Sequence, residues 1–142
     1  MTAQPLTHAQ SDSKKLHIGL WVVQILLAIA FVGAGLTKLT TPMAELVAQM
    51  AWAESWSEGM IRFIGLTQVL GAIGLILPAA LRILPRLTPL AAAGLALTMI
   101  SASILHVARG EFEVLPLTIG FTALALFVAW GRGLKVPIAP RK

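Results

Sequence analysis

The chain has 142 residues, of which 57% are apolar and 12% are charged, and its formal net charge is +5. A soluble domain has about 25% charged residues, so the composition excludes the water-soluble globular class. The basic residues stand at the ends of apolar runs, which is typical of lipid headgroup contacts and argues against a nucleic-acid partner. Because cysteine and tyrosine are absent, disulfides, thiol relays and a tyrosyl proton donor are excluded within this chain.

The N-terminal residues 1–15 are polar and show no apolar period, so we expect a disordered cytoplasmic tail. Four long intervals without a charged residue follow. They hold 22 residues after Lys15, 19 after Arg62, 22 after Arg86 and 18 after Glu113. A helix of about 17–25 apolar residues spans a bilayer, so each interval predicts one transmembrane helix.

These intervals predict an all-α membrane protein, a four-transmembrane-helix bundle that forms one domain, residues 16–132. The predicted spans are about 16–39, 59–78, 87–108 and 114–130, and residues 133–142 are expected to be a second cytoplasmic tail. Residues 42–57 combine Trp52, Trp56 and glutamates with apolar residues at helical spacing. Tryptophan prefers the headgroup level and glutamate is costly deeper, so this segment predicts a short interfacial helix.

Small and polar residues align on one face of the first two spans. In the second span, Gly65, Gln68 and Ala72 share a face, and Gly71 and Gly74 belong to an adjoining stripe of small residues. Small residues let helix backbones approach closely, so we expect other helices to pack against this span. The corresponding face of the first span contains Trp21, Gln24, Ala28, Phe31, Gly35 and Lys38.

The basic residues are distributed unequally between the two ends of the predicted bundle. Eight of the eleven lie in the terminal segments or between the second and third spans. Lysine and arginine favour the cytoplasmic side of a membrane, so we expect both termini in the cytoplasm. All five glutamates lie toward the opposite, outer end, together with most groups that can do chemistry.

Three polar residues are expected near the outer ends of the spans, on faces rich in small residues: Lys38, Gln68 and His106. Polar groups at membrane depth usually face the bundle interior, so these side chains are predicted to line one outward-facing pocket. An alternative stays open for each. Lys38 can extend to the headgroups, Gln68 can bond to a neighbouring helix, and His106 can cap its own helix.

Further candidates for this pocket are Arg62, Glu111 and Trp52, which are expected at its outer rim. Arg62 and Glu111 or Glu113 are expected to be rim residues, and an exposed ion pair among them would contribute at most about 1 kcal/mol. The sequence predicts no metal site, and it assigns no catalytic residue.

At the cytoplasmic end, polar residues are expected to serve the structure. Gln24 predicts a hydrogen bond between packed helices. Trp21 and Trp130 are expected to be interface anchors, and Arg132 is expected to mark the exit of the fourth span.

Three segments carry a pattern that is more specific than hydropathy. They are residues 31–39 (FVGAGLTKL), residues 62–78 (RFIGLTQVLGAIGLILP), and His106 followed by residues 109–111 (RGE). Together they resemble the DoxX-like family of small bacterial membrane proteins, over about residues 16–132. The resemblance implies four transmembrane helices and a multi-pass protein of the bacterial inner membrane. The family commonly has glutamate where this chain has Gln68, so the chain departs from the family pattern here and lacks the ionisable group that the resemblance would imply.

The family name derives from a subunit associated with a terminal quinol oxidase, and a relative is a subunit of a thiosulfate:quinone oxidoreductase. The resemblance therefore implies an accessory or partner-dependent subunit of a quinone-linked redox system. Its ligand is expected to be a quinone or a lipid, with no covalently bound cofactor. Expected partners are the lipid bilayer, redox-complex subunits and further copies of the chain. Two alternatives stay open: a small oligomeric transporter, and an autonomous enzyme for a lipophilic substrate with Lys38 and His106 as acid and base.

Overall fold

The structure of the chain is a computed structural model that describes the backbone of residues 4–142 and the side chains from His8 onward. Its α-helices are α1 (Gln4–Thr40), α2 (Met43–Gln49), α3 (Glu58–Leu81), α4 (Leu87–Ala108) and α5 (Leu115–Trp130). Two 3₁₀ turns, Ala51–Ser55 and Phe112–Val114, precede α3 and α5, and a π-helical turn, Gly131–Lys135, follows α5. The described residues form helices and connections, with no strand.

Four helical segments are long and apolar enough to cross a bilayer: His8–Thr40, Glu58–Leu81, Leu87–Ala108 and Phe112–Lys135. Their outer surfaces carry large apolar side chains, and Ile29, Leu90, Leu97 and Ile104 are each 65–67% exposed. Apolar surface of this extent suits contact with lipid rather than with water. The chain is therefore a multi-pass membrane protein, and the predicted four-helix fold class is confirmed.

The long helices form a bundle in which α1 packs against α3, α3 against α4, and α4 against α5, while α5 also contacts α1. The core between them contains Leu27, Phe31, Leu75, Leu95 and Val128. Each of these side chains is at most 3% exposed. Phe31 belongs to the face of the first span that helical spacing groups with Gln24 and Ala28, and all three side chains are buried.

The two ends of the bundle differ in what they hold. One end, called the His106 end, contains α2, its 3₁₀ turn and the connection from α4 to α5. There, Gly110 has a φ of 72°, which suits glycine as the residue that ends α4. The opposite end, called the Arg132 end, contains the α3–α4 connection and the C-terminal residues.

The helices α1 and α3 meet backbone to backbone where Gly35 faces Gly65. A Cβ atom added to Gly65 would lie 2.8 Å from the carbonyl oxygen of Gly35, and one added to Gly35 would lie 2.6 Å from that of Gly65. Farther along α3, a Cβ on Gly74 would lie 2.7 Å from the Cβ of Ala91 on α4. The predicted role of the small-residue stripe in close helix approach is therefore confirmed.

The second span was predicted to end at Pro78, but α3 continues to Leu81. Proline lacks the N–H that would bond to the carbonyl oxygen of Gly74, four residues earlier. The hydroxyl of Thr88, fully buried on α4, donates to that oxygen at 3.1 Å. A side chain of the neighbouring helix thus replaces the missing backbone bond, which is how transmembrane helices tolerate proline.

Both terminal segments are structured where the chain is described. Residues 4–15, expected to form a disordered tail, are helical and continue α1 without a break. Extending an existing helix avoids the cost of nucleation, and this segment contains the helix formers alanine, glutamine and lysine. Residues 1–3 of the expected tail lie outside the described residues. At the other terminus, Arg82 Nε donates to the carbonyl oxygen of Ala139 at 2.9 Å.

Candidate functional site

A cavity of about 1030 Å³ lies in the His106 end of the bundle. All four long helices and the α1–α3 connection contribute to its wall. Five of the six side chains predicted for a pocket line it, namely Lys38, Gln68, His106, Glu111 and Trp52. The sixth, Arg62, does not line it.

The cavity reaches deep into the bundle. Along α4 its lining extends from His106 to Ala91, a distance of about 22 Å at 1.5 Å per residue. The deep part is formed by apolar or small residues such as Phe31, Gly71 and Leu95. A space of this length and composition has room for a polar head at the His106 end and an extended apolar body behind it.

Most hydroxyl groups of the cavity wall are already engaged within their own helices. Thr67, Thr98 and Ser101 each donate to a carbonyl oxygen three or four residues earlier, at 2.7–3.0 Å. The buried polar groups that keep hydrogen-bonding capacity for a ligand are therefore Lys38, Gln68 and His106, among the described residues.

Lys38 is buried, with 6% of its surface exposed. Its ammonium donates to the carbonyl oxygen of Ala34 at 3.4 Å, and no carboxylate in the described part of the chain lies within ion-pair distance. The side chain therefore lines the cavity rather than extending to the headgroups. A buried ammonium without a counter-ion is costly, so an oxygen-bearing ligand would stabilise this site.

Gln68 is 3% exposed, and its Oε1 atom is buried without a hydrogen-bond donor among the described residues. The alternative in which this oxygen bonds to a neighbouring helix is therefore not realised. A buried polar atom without a partner costs about 1–3 kcal/mol, so such atoms occur mainly where function requires them.

His106 is oriented by a carboxylate. Its Nδ1 atom lies 2.7 Å from Oε2 of Glu111, whose Oε1 accepts from Nε of Arg109 at 2.8 Å. An ionised carboxylate only accepts hydrogen bonds, so Nδ1 carries the proton and Nε2 is left to act toward the cavity. Within residues 8–142, no partner occupies Nε2. The arrangement suits a histidine that binds or exchanges a proton with a ligand.

Two hydrogen bonds hold the pKa of the Glu111 carboxyl below its ordinary value. The bond from Arg109 has the larger effect and the bond from His106 the smaller one. Because the pKa is lower in the folded chain, this carboxylate stabilises the fold fully above its unfolded pKa of about 4.3. The stabilisation is lost as the pH falls through the lowered pKa.

We expect the stability of Glu111→Gln to depend less on pH below neutrality, because glutamine has no carboxyl group that could bind a proton as the pH falls. The measurement is the unfolding midpoint in detergent from about pH 3 to pH 7. Glu113→Gln is the matched control, since Glu113 is exposed and forms no ion pair within the described residues. Equal pH profiles for Glu111→Gln and the unchanged protein would contradict the ion-pair geometry.

Arg62 has a structural role outside the cavity. One of its nitrogens, Nη1, donates to the carbonyl oxygens of Lys38 at 2.6 Å and Thr41 at 2.7 Å. The other, Nη2, pairs with Glu58 at 3.0 Å. Among the described residues, Arg62 forms no ion pair with Glu111 or Glu113. Arg62 instead satisfies carbonyl oxygens at the C-terminal end of α1 and holds that end against α3.

The sequence was compared with family models, curated proteins and solved structures. The model of the DoxX-like family matches residues 22–128. The chain belongs to the DoxX-like family. Neither the curated proteins nor the solved structures give a significant match. All residues that line the cavity, from Ala30 to Phe121, lie within the matched region. The candidate site therefore belongs to the family domain.

This DoxX-like chain also contains a buried polar cluster at its Arg132 end, which sequence reasoning missed. Arg132 is 3% exposed, and its Nε donates to Oε1 of Gln24 at 2.7 Å. Its Nη1 lies 2.9 Å from Nδ1 of His17, and the guanidinium lies 5.5 Å from the ring centre of Trp21. We call these four residues the Arg132 cluster.

A signal for this cluster exists in α1. His17, Trp21 and Gln24 are spaced by four and three residues, so they share one helical face. The predicted packing bond of Gln24 is confirmed, since its Nε2 donates to the carbonyl oxygen of Leu75 at 2.6 Å. Arg132 follows the end of α5, as predicted, but its side chain is buried and ties the π-helical turn after α5 to α1.

Proposed function

We propose that this DoxX-like protein binds a lipophilic molecule of the quinone class in its cavity, as an accessory or partner-dependent subunit of a redox system. The observation that carries the proposal is the presence of three buried polar side chains, Lys38, Gln68 and His106, in one otherwise largely apolar cavity. Ligand sites typically combine an apolar wall with a few polar groups that orient the ligand. A quinone head offers acceptor oxygens to Lys38, its hydroquinone form also offers hydroxyl protons to Gln68 and His106, and the apolar tail suits the deep part of the cavity.

The partner-dependent role is supported by the residues available. The chain has no cysteine, so it cannot perform thiol–disulfide exchange by itself. If electrons reach a bound quinone, a partner subunit supplies them. The contribution of this chain would then be to hold the ligand and to exchange protons through His106.

A second candidate function is an autonomous enzyme for a lipophilic substrate, and the His106–Glu111 pair favours it. A histidine oriented by a carboxylate is a common general base, and Lys38 would serve as the acid in the same cavity. Turnover of a lipophilic substrate by the purified protein alone would favour the enzyme over the subunit.

We expect Lys38→Ala, Gln68→Ala and His106→Ala each to weaken binding of the hydroquinone form about tenfold, because each removes one polar contact to its hydroxyl-bearing head. Binding of an alkylated benzoquinone and its hydroquinone would be measured with the protein in nanodiscs, after subtraction of partitioning into empty nanodiscs. Thr40→Ala is the control, since Thr40 is exposed and its hydroxyl donates to Leu36 within α1. Unchanged affinity in all three variants would contradict the proposed site.

We also propose that the protein lies in the bacterial inner membrane with both termini in the cytoplasm and the cavity end outside. The charge distribution supports this orientation. A cysteine placed at Glu54 should react with an impermeant maleimide added to intact spheroplasts, whereas one placed at Arg82 should react only after lysis. The reverse pattern would overturn the orientation. Both positions are exposed, so they are matched in accessibility.

A further inference from the structure

The buried acceptor on α3 restricts the chemistry of a ligand head. Gln68 lines the cavity, and its Oε1 has no donor among the described residues. An ether or ketone oxygen has no proton to give and leaves this acceptor without a partner. A hydroxyl group can donate to it.

The buried cation on α1 places a second restriction on the same head. Lys38 lines the cavity with one carbonyl contact, at 3.4 Å, and no carboxylate of residues 8–142 is paired with it. Buried charges are normally paired or fully hydrogen-bonded. An oxygen that accepts hydrogen bonds, and that can carry negative charge, would supply the missing partner.

The contact of α1 with α3 places these two groups on neighbouring parts of the cavity wall. A Cβ added to Gly65 would lie 2.8 Å from the Cβ of Lys38, so the lysine stem packs directly on α3 at that position. Gln68 follows Gly65 by three residues and therefore lies about one turn farther along the same face. One hydroxyl can donate to Gln68 and accept from Lys38, whereas an ether or ketone oxygen can only accept.

The mouth of the cavity favours a head that arrives uncharged. Glu111 and Glu113 both line it, and Glu111 is kept ionised by its bonds to Arg109 and His106. Two carboxylates disfavour the approach of a fatty-acid carboxylate, which is ionised at neutral pH. A phenol or hydroquinone is neutral there, with a pKa near that of tyrosine at about 10, and it still has an acidic hydroxyl.

We propose that the cavity selects an amphiphile whose head is a phenolic or hydroquinone hydroxyl, in preference to one whose head has only ether or ketone oxygens. This inference rests on the proposed function, since it requires that the cavity bind an amphiphile. For the quinone class it assigns the reduced, hydroxyl-bearing form as the preferred ligand. Gln68 accepts the hydroxyl proton, and Lys38 donates to the hydroxyl oxygen.

The test compares 4-nonylphenol with its methyl ether, which differ only in the hydroxyl proton and one methyl group. Both would be titrated into the full-length protein in nanodiscs, with empty nanodiscs as the partitioning control. The unchanged protein should bind the phenol about tenfold more tightly than the ether, as expected for one hydrogen bond to a buried group. Gln68→Leu should reduce this preference to less than about twofold while retaining binding of the ether.

A matched control is Gln10→Leu, which makes the same substitution at an exposed glutamine outside the cavity lining and should keep the preference. Gln68→Met provides a second variant if Gln68→Leu fails to fold, and it should likewise reduce the preference for the phenol, because it also removes the amide oxygen that accepts the hydroxyl proton. Equal affinities of the two probes for the unchanged protein would overturn the hydroxyl inference and leave the proposed function standing. Absence of binding by both probes would overturn the inference and the proposed function together. A preference that persists in Gln68→Leu would also overturn the inference.

Discussion

Gly65→Ala is expected to lower the free energy of unfolding by about 3 kcal/mol, at the upper end of the usual cost of overpacking. The added Cβ would lie 2.8 Å from the carbonyl oxygen of Gly35 and 2.8 Å from the Cβ of Lys38. The first of these is a backbone atom, so the strain cannot be relieved by rotating a side chain, and α1 must move away from α3. The measurement is reversible unfolding in bicelles or mixed micelles.

Gly33→Ala is the control for this prediction. Gly33 lies on α1, two residues before Gly35, and a Cβ added there would meet nothing within 4 Å. Since alanine has a higher helix propensity than glycine, this variant should be unchanged or more stable by up to about 1 kcal/mol. If Gly65→Ala and Gly33→Ala unfold alike, the close contact of α1 with α3 is not as described.

Gln24→Leu is expected to have a larger effect, a loss of about 4 kcal/mol in the free energy of unfolding. Gln24 accepts from the buried guanidinium of Arg132 and donates to the carbonyl oxygen of Leu75. Leucine can do neither, so a buried charge loses a hydrogen bond and a carbonyl oxygen loses its side-chain donor. Removing one partner of a buried charged group is far more costly than replacing both.

The double variant distinguishes this explanation from a simple packing defect. Gln24→Leu combined with Arg132→Met removes the buried charge together with its acceptor, so it should be more stable than Gln24→Leu alone. Arg82→Met, which removes an exposed arginine at the same end, should change stability by about 0.5 kcal/mol or less. If the two single losses add in the double variant, the bond between Gln24 and Arg132 contributes no coupling.

The positions of the membrane spans could be predicted because charge is excluded from the hydrocarbon layer. The charge-free interval after Arg86 predicts residues 87–108, and α4 runs from Leu87 to Ala108. Helical spacing likewise predicts which face of α3 is buried, and Gly65, Gln68 and Ala72 all lie inside the bundle. These properties depend on local sequence and on the solvent around the helix.

Properties that depend on a distant residue could not be predicted in this way. Pro78 normally ends a helix, and α3 continues past it because Thr88 on another helix bonds to the freed oxygen. An arginine at the end of an apolar run normally reaches the headgroups, and Arg132 stays inside because Gln24 and His17 accept its hydrogen bonds. Each case is decided by a partner that only the packed bundle supplies.

The candidate site was predictable where it depends on local sequence and not where it depends on a distant partner. Polar residues at membrane depth on small-residue faces identify Lys38, Gln68 and His106, which line the cavity. The bond between His106 and Glu111 joins residues five positions apart across the turn after α4, and helical spacing does not reveal it. Arg62 was assigned to the same rim because charge alone does not distinguish a ligand contact from a cap on a neighbouring helix.

The two buried basic side chains, Lys38 and Arg132, give the interior a positive electrical potential. Gln24, which holds Arg132, and Lys38 are separated by about 21 Å along α1, less than the hydrocarbon thickness of about 30 Å. Lys38 and Arg132 are 6% and 3% exposed, so water and salt screen their charges weakly. The carboxylates of the four described spans, Asp12, Glu58 and Glu113, lie near the ends of their spans. A cation that moved along the bundle axis would be repelled at each end, whereas an electron-rich head group would be attracted.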